Sequence, residues 1–420
     1  MEKRDFSSSR KDKNMVRKID DNSIEIKGRI DSANAGEFEK QLFSAVSENN
    51  NGDITLEASE LKYISSAGLR VLMKLRKQLG KKFTVQNVSA EVYDIFDVTG
   101  FTELFDVRKK LREISVEGCE QIGAGASSKV YRINEDTIVK VFYPGVSLQR
   151  IEEERENAKT AFVGGIPTAI TYDIVKCGES YGTVYELINA VQFSKFLRDN
   201  PEKASEYRIK YAKMLENMHQ IKLPENFQDM KILYKKWISD LNSFFETDEI
   251  AALHKMIDTI PDRDTFVHCD AHMGNVMVQD GELILIDMAD VGRGHPVFDI
   301  GTLCFHYQLV PNSAGRDFGL KTILGFVPET NDILNDVWRD LIEVYFSPKN
   351  ENDRKMINGI AQIIGILRNT VTAAKHSQMP DQYKIMIIDA AKAQLLPKIE
   401  EYTELIRNVD NWFNVRGNVQ

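Results

Sequence analysis

The stretch His268-Cys269-Asp270-Ala271-His272-Met273-Gly274-Asn275, continued by residues 276–288 and then by Gly294-His295-Pro296 and Asp299, decides how this chain is read. Its middle holds two apolar runs, Val276-Met277-Val278-Gln279 and Glu282-Leu283-Ile284-Leu285-Ile286, on either side of Asp280-Gly281. An Asp-Gly pair between such runs predicts a hairpin with a two-residue turn, because those residues tolerate the positive φ the turn needs. Pairing Gln279 with Glu282 sets Asn275 beside Ile286 and brings Asp287 out next to Asn275 at the open end. Two hard oxygen donors then share one spot. That suits Mg²⁺, which takes few protein ligands and leaves the rest of its shell to water and phosphate. Asp270 precedes Asn275 in the loop entering the same end. A carboxylate held beside a metal, but not on it, can accept the proton of an attacking hydroxyl.

The pattern H-x-D-x-x-x-x-N, followed after a hairpin by I-D, resembles the catalytic loop and metal aspartate of the protein-kinase-like fold. It is most similar to the aminoglycoside-phosphotransferase and choline-kinase branch, where a G-x-P-x-x-D stretch follows; here those residues are Gly294, Pro296 and Asp299. The resemblance implies that Asp270 is the catalytic base and that Asn275 and Asp287 hold Mg²⁺. It makes Asp299 a structural anchor of the loop and His268 a structural loop residue.

A nucleotide cradle is expected upstream. Residues 121–131 carry Gly123 and Gly125 with Ser127 and Ser128, a glycine turn leading into a strand. The next strand, residues 137–142, puts Lys140 in an apolar run. An isolated lysine in a buried strand is costly unless it meets an anion. After the glycines, Lys140 resembles the phosphate-binding lysine on the third strand of the kinase fold. Its carboxylate partner is expected on the charged helix 148–162. Glu154 shares a face with Ile151, Ala158 and Ala161 and so points inward best, with Glu156 as the second choice. Residues 182–188 resemble the last strand and hinge of the smaller lobe, where backbone groups from Glu186 to Ile188 meet adenine. Beyond them, residues 207–219 and 233–245 have helical spacing. From Thr302 onward the chain reads as mostly helical, for example over 360–374 and 387–406, with breaks near Pro311, Pro328, Pro348 and Pro380. That region completes an α-rich lobe and walls the acceptor site.

Residues 16 to about 108 alternate between strand and helix patterns. Ser23–Lys27 alternates like a strand, 35–46 is helical in spacing, 49–52 is a turn, 54–57 a short strand. Residues 83–85 form another strand, 89–98 a helix, and 104–107 close the unit, so a mixed sheet with helices packed on it is expected. Gly28-Arg29-Ile30-Asp31, Tyr63-Ile64-Ser65-Ser66-Ala67-Gly68-Leu69-Arg70-Val71-Leu72 and Phe96-Asp97-Val98-Thr99-Gly100-Phe101 resemble a STAS domain, the anti-sigma-factor-antagonist family. The resemblance implies that Ser66, opening a helix, is a phosphoacceptor; Glu57 stands where that family has a strand-end aspartate. A helix N-terminus offers unpaired N–H groups and a positive dipole end to a phosphate. Local chemistry alone makes Ser65 or Ser66 an N-cap, worth about 1 kcal/mol.

Bulk properties exclude several classes. A net charge of −9 argues against nucleic acid or an anionic membrane surface as the main partner. No apolar run reaches the roughly 18 residues a membrane span needs. The polar start, residues 1–14, lacks an apolar core for a secretory signal and reads as a disordered extension, with Met15 an alternative start. Cys119, Cys177, Cys269 and Cys304 are scattered, which suits a reducing cytoplasm without structural zinc. A metal-hydrolase reading of His268, Asp270 and His272 lacks further ligands, since His219, His254, His295 and His306 show no ligand spacing. An ordinary protein kinase is disfavoured because Met288-Ala289 follows Asp287 and no A-P-E segment comes after.

The charged run 108–113 reads as the inter-domain linker or a short solvated helix. The expected architecture is α+β: a small STAS-like mixed sheet over 15–108, a linker over 109–118, and a bilobal protein-kinase-like fold. Its lobes cover 119–190 and 191–420, the second large and α-rich. The expected activity is Mg²⁺-dependent transfer of the terminal phosphate of ATP or GTP to a hydroxyl or amine of a small molecule, with a regulatory protein as partner of the STAS-like unit. The alternative is a signalling kinase acting on Ser66 or on a partner protein. The acceptor, the choice of nucleotide and the oligomeric state are not legible in the sequence.

Overall fold

The computed structural model describes residues 14–47, 53–125, 127–313, 331–375 and 379–413. The turn expected over 49–52, the break near Pro328 and nearly all of the extension expected over 1–14 lie outside them. The chain divides into two compact units, Met1–Ile114 and Ser115–Gln420.

In the first unit the alternating pattern forms a sheet of β1 (Val16–Lys18), β2 (Ser23–Ile26), β4 (Thr55–Glu57), β6 (Thr84–Val88) and β7 (Asp106–Lys109), in that order. β1 lies antiparallel to β2 and the other neighbours are parallel, so the sheet is mixed. A second, parallel pair joins β3 (Gly28–Ile30) to β5 (Leu61–Ile64). Three helices, α1 (Ala35–Ser47), α2 (Ser66–Leu79) and α3 (Ala90–Val98), bury Phe38, Leu42, Leu72, Leu75 and Phe96 in one core with Ile24, Leu56 and Val85. Ser65 is the N-cap of α2, its Oγ accepting the Gly68 N–H, and Gly80 ends the helix at φ 68°. A Cβ at Gly68 would lie 2.7 Å from both Ile30 and Ile64, so only glycine lets this first turn sit on the β3–β5 pair. The charged run 108–113, expected as linker or helix, is extended. Lys109 closes the β6–β7 ladder opposite Val88, and a two-residue strand, β8 (Arg112–Glu113), follows.

The second unit begins with five antiparallel strands: β9 (Glu120–Ala124), β10 (Ser128–Arg132), β11 (Thr137–Phe142), β12 (Thr171–Cys177) and β13 (Ser180–Glu186). They lie in the order β12-β13-β11-β10-β9, with α4 (Leu148–Val163) between β11 and β12 in sequence. Then come β14 (Val191–Gln192), α5 (Phe193–Asp199), α6 (Ala204–Met218), α7 (Met230–Ser239) and α8 (Thr247–Asp258). After β15 (Thr265–Val267), β16 (Val276–Gln279), β17 (Glu282–Leu285) and β18 (Gly292–Gly294), α9 (Val297–Cys304) continues into a π-helical turn, Phe305–Leu309. The rest of the described chain is helical: Asn331–Leu341 with a second π turn Ile342–Phe346, then Glu351–Lys375, Asp381–Leu395 and Ile399–Arg407.

Two helix boundaries differ from expectation for local reasons. The helix expected over 233–245 is α7, which starts earlier because Asp229 caps the N–H groups of Lys231 and Ile232. The single helix expected over 387–406 is cut by the 3₁₀ turn Leu396–Lys398, where Pro397 has no N–H to donate.

α9 crosses helix Glu351–Lys375 at a pair of glycines. A Cβ on Gly365 would lie 2.9 Å from the Gly301 carbonyl oxygen, and one on Gly301 would lie 2.4 Å from Ile364 Cγ2. Gly301→Ala should therefore overpack this crossing by about 1–3 kcal/mol. Thermal unfolding should show the midpoint lowered by several degrees; an unchanged midpoint would mean the two backbones have room to spare.

Candidate active site

The loop 268–275 leaves β15, and the segment 286–291 returns from β17 to β18. Because β15 pairs with β18, Val267 opposite Gly292, both start from one frame. The hairpin between them turns on Asp280 (φ 49°) and Gly281 (φ 88°), with Gln279 opposite Glu282 and Val276 opposite Leu285. At its open end the Ile286 N–H donates to the Asn275 carbonyl at 2.8 Å, which sets Asn275 and Asp287 side by side along the chain. Asp287 (φ 66°) and Cys269 (φ 62°) are both left-handed without being glycine. Such backbone persists only when the surroundings hold it, and here each strained residue is or adjoins one of the polar residues of interest.

Asp299, at the start of α9, is 1% exposed and supplies that hold. Its Oδ2 accepts the His268 N–H at 2.9 Å and its Oδ1 the Cys269 N–H at 2.5 Å. His219 Nε2 reaches Oδ2 at 2.9 Å, and the other ring nitrogen bonds the Tyr345 hydroxyl, from the second π turn, at 2.6 Å. The next stretch of loop is tied by two tyrosines. Tyr211 donates to the Ala271 carbonyl at 2.6 Å, and the Met273 N–H donates to the Tyr307 hydroxyl at 2.8 Å. Gly274 is required because a Cβ there would meet the His272 ring at 2.5 Å; Gly294 faces Met230 at 2.8 Å in the same way. Cys269 is fully buried with Sγ 3.2 Å from Met230 Sδ, and burial raises its thiol well above the usual range.

Asp270 itself is partly open, its side chain 32% exposed. Asn275 Nδ2 donates to its carbonyl at 2.9 Å and to Oδ2 at 3.0 Å. His306 Nε2 stands 3.1 Å from Oδ1, and His272 Nε2 3.7 Å from the same oxygen. Burial pushes the carboxyl up, but His272 and His306 together outweigh it and hold it below the usual aspartate range. Burial pushes His272 down to about 4, so at neutral pH it is an uncharged ring. Its Nδ1 accepts the Gly274 N–H at 2.9 Å, which puts the hydrogen on Nε2, facing Asp270.

Across from this loop, Lys140 Nζ lies 2.7 Å from Glu154 Oε1 and 3.0 Å from Asp287 Oδ1. Burial favours the neutral amine, but Asp287 and Glu154 outweigh it and keep Lys140 charged. Glu154 is 2% exposed and also accepts from the Tyr185 hydroxyl at 3.2 Å. Asn157, one turn along α4, donates to the Met288 carbonyl at 3.0 Å and ties that helix to the Asp287 segment. The glycine turn is closed by the Gly125 N–H on the Ser128 carbonyl at 2.9 Å, and the Tyr143 N–H donates to the Ser127 carbonyl at 2.8 Å. A Cβ at Gly125 would meet nothing within 4 Å, so packing does not demand glycine there. At the expected hinge Glu186 Oε1 accepts the Ile170 N–H at 2.7 Å, while the Leu187 N–H is used by the Asp136 carbonyl at 2.7 Å.

The structure thus brings Lys140, Glu154 and Asp287 into direct contact and Asp270 into contact with Asn275. Residues with no sequence signal complete the cluster: His306, set aside for lack of ligand spacing, with Tyr307, Tyr211, His219 and Asn157. Their partners lie far off along the chain, so no local pattern could mark them.

Comparison with known proteins fits both units. Residues 118–319 match the phosphotransferase enzyme family, and residues 15–109 match the Mlab-type STAS domain family. Over 85 residues the chain is 34% identical to BtrV of Bordetella bronchiseptica, described as an anti-sigma factor antagonist; the match spans 20% of this chain and 72% of that protein. Among solved structures, the ADP-bound aminoglycoside phosphotransferase APH(2'')-Ib aligns over 76% of this chain and 99% of its own, at 14% identity and TM-score 0.43. The streptomycin–ATP complex of APH(2")-IIa covers the same shares at 16% identity and TM-score 0.43. Likenesses that loose add no argument of their own. The chain belongs to the STAS domain family through its first unit, and its residues 118–319 form a domain of the phosphotransferase enzyme type. It is a phosphotransferase with a STAS domain in front.

Asp299→Ala would leave the buried N–H groups of His268 and Cys269 and the His219 ring without their acceptor. The expected loss is about 3–5 kcal/mol, the usual cost of removing one member of a buried polar cluster. Denaturant unfolding measures it; a loss under 1 kcal/mol would mean the loop holds its strained form without this carboxylate.

Proposed function

We propose that the second unit moves the terminal phosphate of ATP or GTP to a hydroxyl or amine of a small molecule, with Mg²⁺ at Asn275 and Asp287. The convergence of Lys140 on both Glu154 and Asp287 carries this reading: it offers one partly buried cation to the nucleotide phosphates. The donor set fits Mg²⁺, since the amide oxygen of Asn275 and the carboxylate of Asp287 are hard oxygens. When bound, the metal neutralises phosphate charge as the reaction proceeds. The chain's own residues do the rest. Lys140, kept charged and aimed by Glu154, grips the phosphates, and the turn from Gly123 through Gly125, Ser127 and Ser128 covers them. The backbone from Glu186 to Ile188 meets the base; the Glu186 and Leu187 N–H groups are already engaged, so the Ile188 N–H, with no backbone acceptor among the described residues, is the donor we assign to it. Asp270, anionic at neutral pH, orients the acceptor and takes its proton.

In the first unit Ser66 is exposed at the first position of α2, beside its cap Ser65. We read it as the modifiable residue of a surface that docks a regulatory protein, a reading to which the kinship with an anti-sigma factor antagonist lends support. The working boundaries are 15–108 for this domain, 109–118 for the connection, and 119–190 and 191–420 for the two lobes.

Two experiments test the site. Asp270→Ala should bind Mg-ATP within about twofold of wild type yet lose transfer by about 10²–10⁴-fold, the usual contribution of a general base. Substantial turnover in that variant removes the base assignment. Asp287→Ala should bind ATP no better with Mg²⁺ than without it; a retained Mg²⁺ dependence contradicts the ligand assignment. Incubation with γ-labelled ATP then separates two acceptor classes. Label on Ser66 identifies a protein kinase acting on its own STAS domain, whereas unlabelled protein that consumes ATP with added sugars, aminoglycosides or amino alcohols identifies a small-molecule kinase.

A further inference from the structure

We infer that His306 is a positioning residue for Asp270: with His272 it engages Oδ1 of the carboxylate, leaving Oδ2 as the atom that receives the acceptor's proton. This rests on the phosphotransferase reading above and makes it atom-specific. A carboxylate has two oxygens with about two lone-pair sites each. Oδ1 faces two imidazole nitrogens, at 3.1 Å from His306 and 3.7 Å from His272. Among the described residues Oδ2 takes one donor, Asn275 Nδ2 at 3.0 Å, which leaves it a lone pair. The rings are buried, with side chains 3% and 8% exposed, while the carboxylate is 32% exposed. The solvent-open side of Asp270 is therefore the side away from the rings, where an acceptor can approach.

Hydrogen placement agrees. His272 presents Nε2–H because its Nδ1 accepts from the Gly274 backbone. His306 Nδ1 is buried with no partner among the described residues. Placing its hydrogen on Nε2 gives Asp270 a donor and leaves only a lone pair orphaned, whereas the other tautomer would bury an orphaned N–H and turn a lone pair toward a carboxylate. The position of His306 is also built. It sits in the π turn that continues α9, a feature frequent at functional sites. One continuous element thus holds three points of the loop: Asp299 the His268–Cys269 backbone, His306 the Asp270 side chain, and Tyr307 the Met273 N–H.

The step balances as follows. The acceptor O–H bond breaks and its proton goes to Asp270 Oδ2 as the acceptor oxygen bonds the γ-phosphorus. The bond from that phosphorus to the bridging oxygen breaks, and its electron pair leaves with the nucleoside diphosphate. Held by its imidazoles, Asp270 cannot rotate to present the wrong oxygen.

The three ligand atoms lie within 4.8 Å of one another, a spacing that a transition metal could also bridge. The His272 tautomer opposes this, because Nε2 already carries its hydrogen. The test keeps it as an outcome.

Water serves as the acceptor in the test: phosphate release from Mg-ATP by the full chain, with nucleotide affinity and thermal midpoint measured alongside. His306→Ala should lower kcat for phosphate release about 10–100-fold, below the full contribution of a general base, with KM for ATP within twofold. His306→Gln, whose amide nitrogen reaches the Nε2 position, should recover most of the rate. His306→Asn, whose amide stops at the Nδ1 position, should not; this pair remains informative if the alanine variant folds poorly. Unchanged kcat in folded His306→Ala, or equal loss in Gln and Asn with KM rising in parallel, overturns the assignment. Stoichiometric zinc in the purified wild type that is lost in His306→Gln overturns it in favour of a metal site. Wild type that neither binds nor hydrolyses Mg-ATP removes the phosphotransferase reading and the His306 role with it. An active wild type, an inactive Asp270→Ala and an unaffected His306→Ala remove the His306 role alone.

Discussion

A single buried carboxylate, Asp299, is the constraint on which the second unit turns. It takes two consecutive backbone N–H groups and an imidazole, all far from water. Each would be costly unpaired, and together they hold the left-handed backbone at Cys269 that aims Asp270 outward. Because Asp299 opens α9, the loop inherits the rigidity of the helix pair that crosses at Gly301 and Gly365. The two π turns extend that support, one through Tyr345 to His219 and the other through His306 and Tyr307 to the loop itself. The polar geometry at the surface is thus a product of close packing two layers below it.

The smaller lobe is joined to this frame by charge and by backbone. Lys140 links Glu154 of α4 to Asp287, and Asn157 of the same helix holds the carbonyl of Met288. A rotation of α4 would therefore disturb the lysine, its carboxylate partner and the Asp287 segment at once.

How much of this was legible in the sequence follows from the range of each interaction. The hairpin was readable because Asp280-Gly281 and the flanking apolar runs specify turn and register within a dozen residues, and that register alone sets Asn275 beside Ile286 and Asp287. Glu154 could be chosen from four neighbouring glutamates because helix periodicity assigns faces. His306, Tyr307, Tyr211 and His219 were not readable, since each acts on a partner dozens of residues away through tertiary packing. Local competition explains the smaller misses. Pro397 cuts a helix whose periodicity runs straight through it, and a three-residue strand such as β1 is too short for alternation to register.

The burial of Cys269 has a consequence of its own. It is the immediate neighbour of Asp270, and a cysteine so placed would ordinarily be a point of attack for peroxides and electrophiles. Here it has no exposed surface, faces Met230, and is kept in its unreactive protonated form by the apolar surroundings. The thiol beside Asp270 is in this way withheld from oxidants that reach the protein surface.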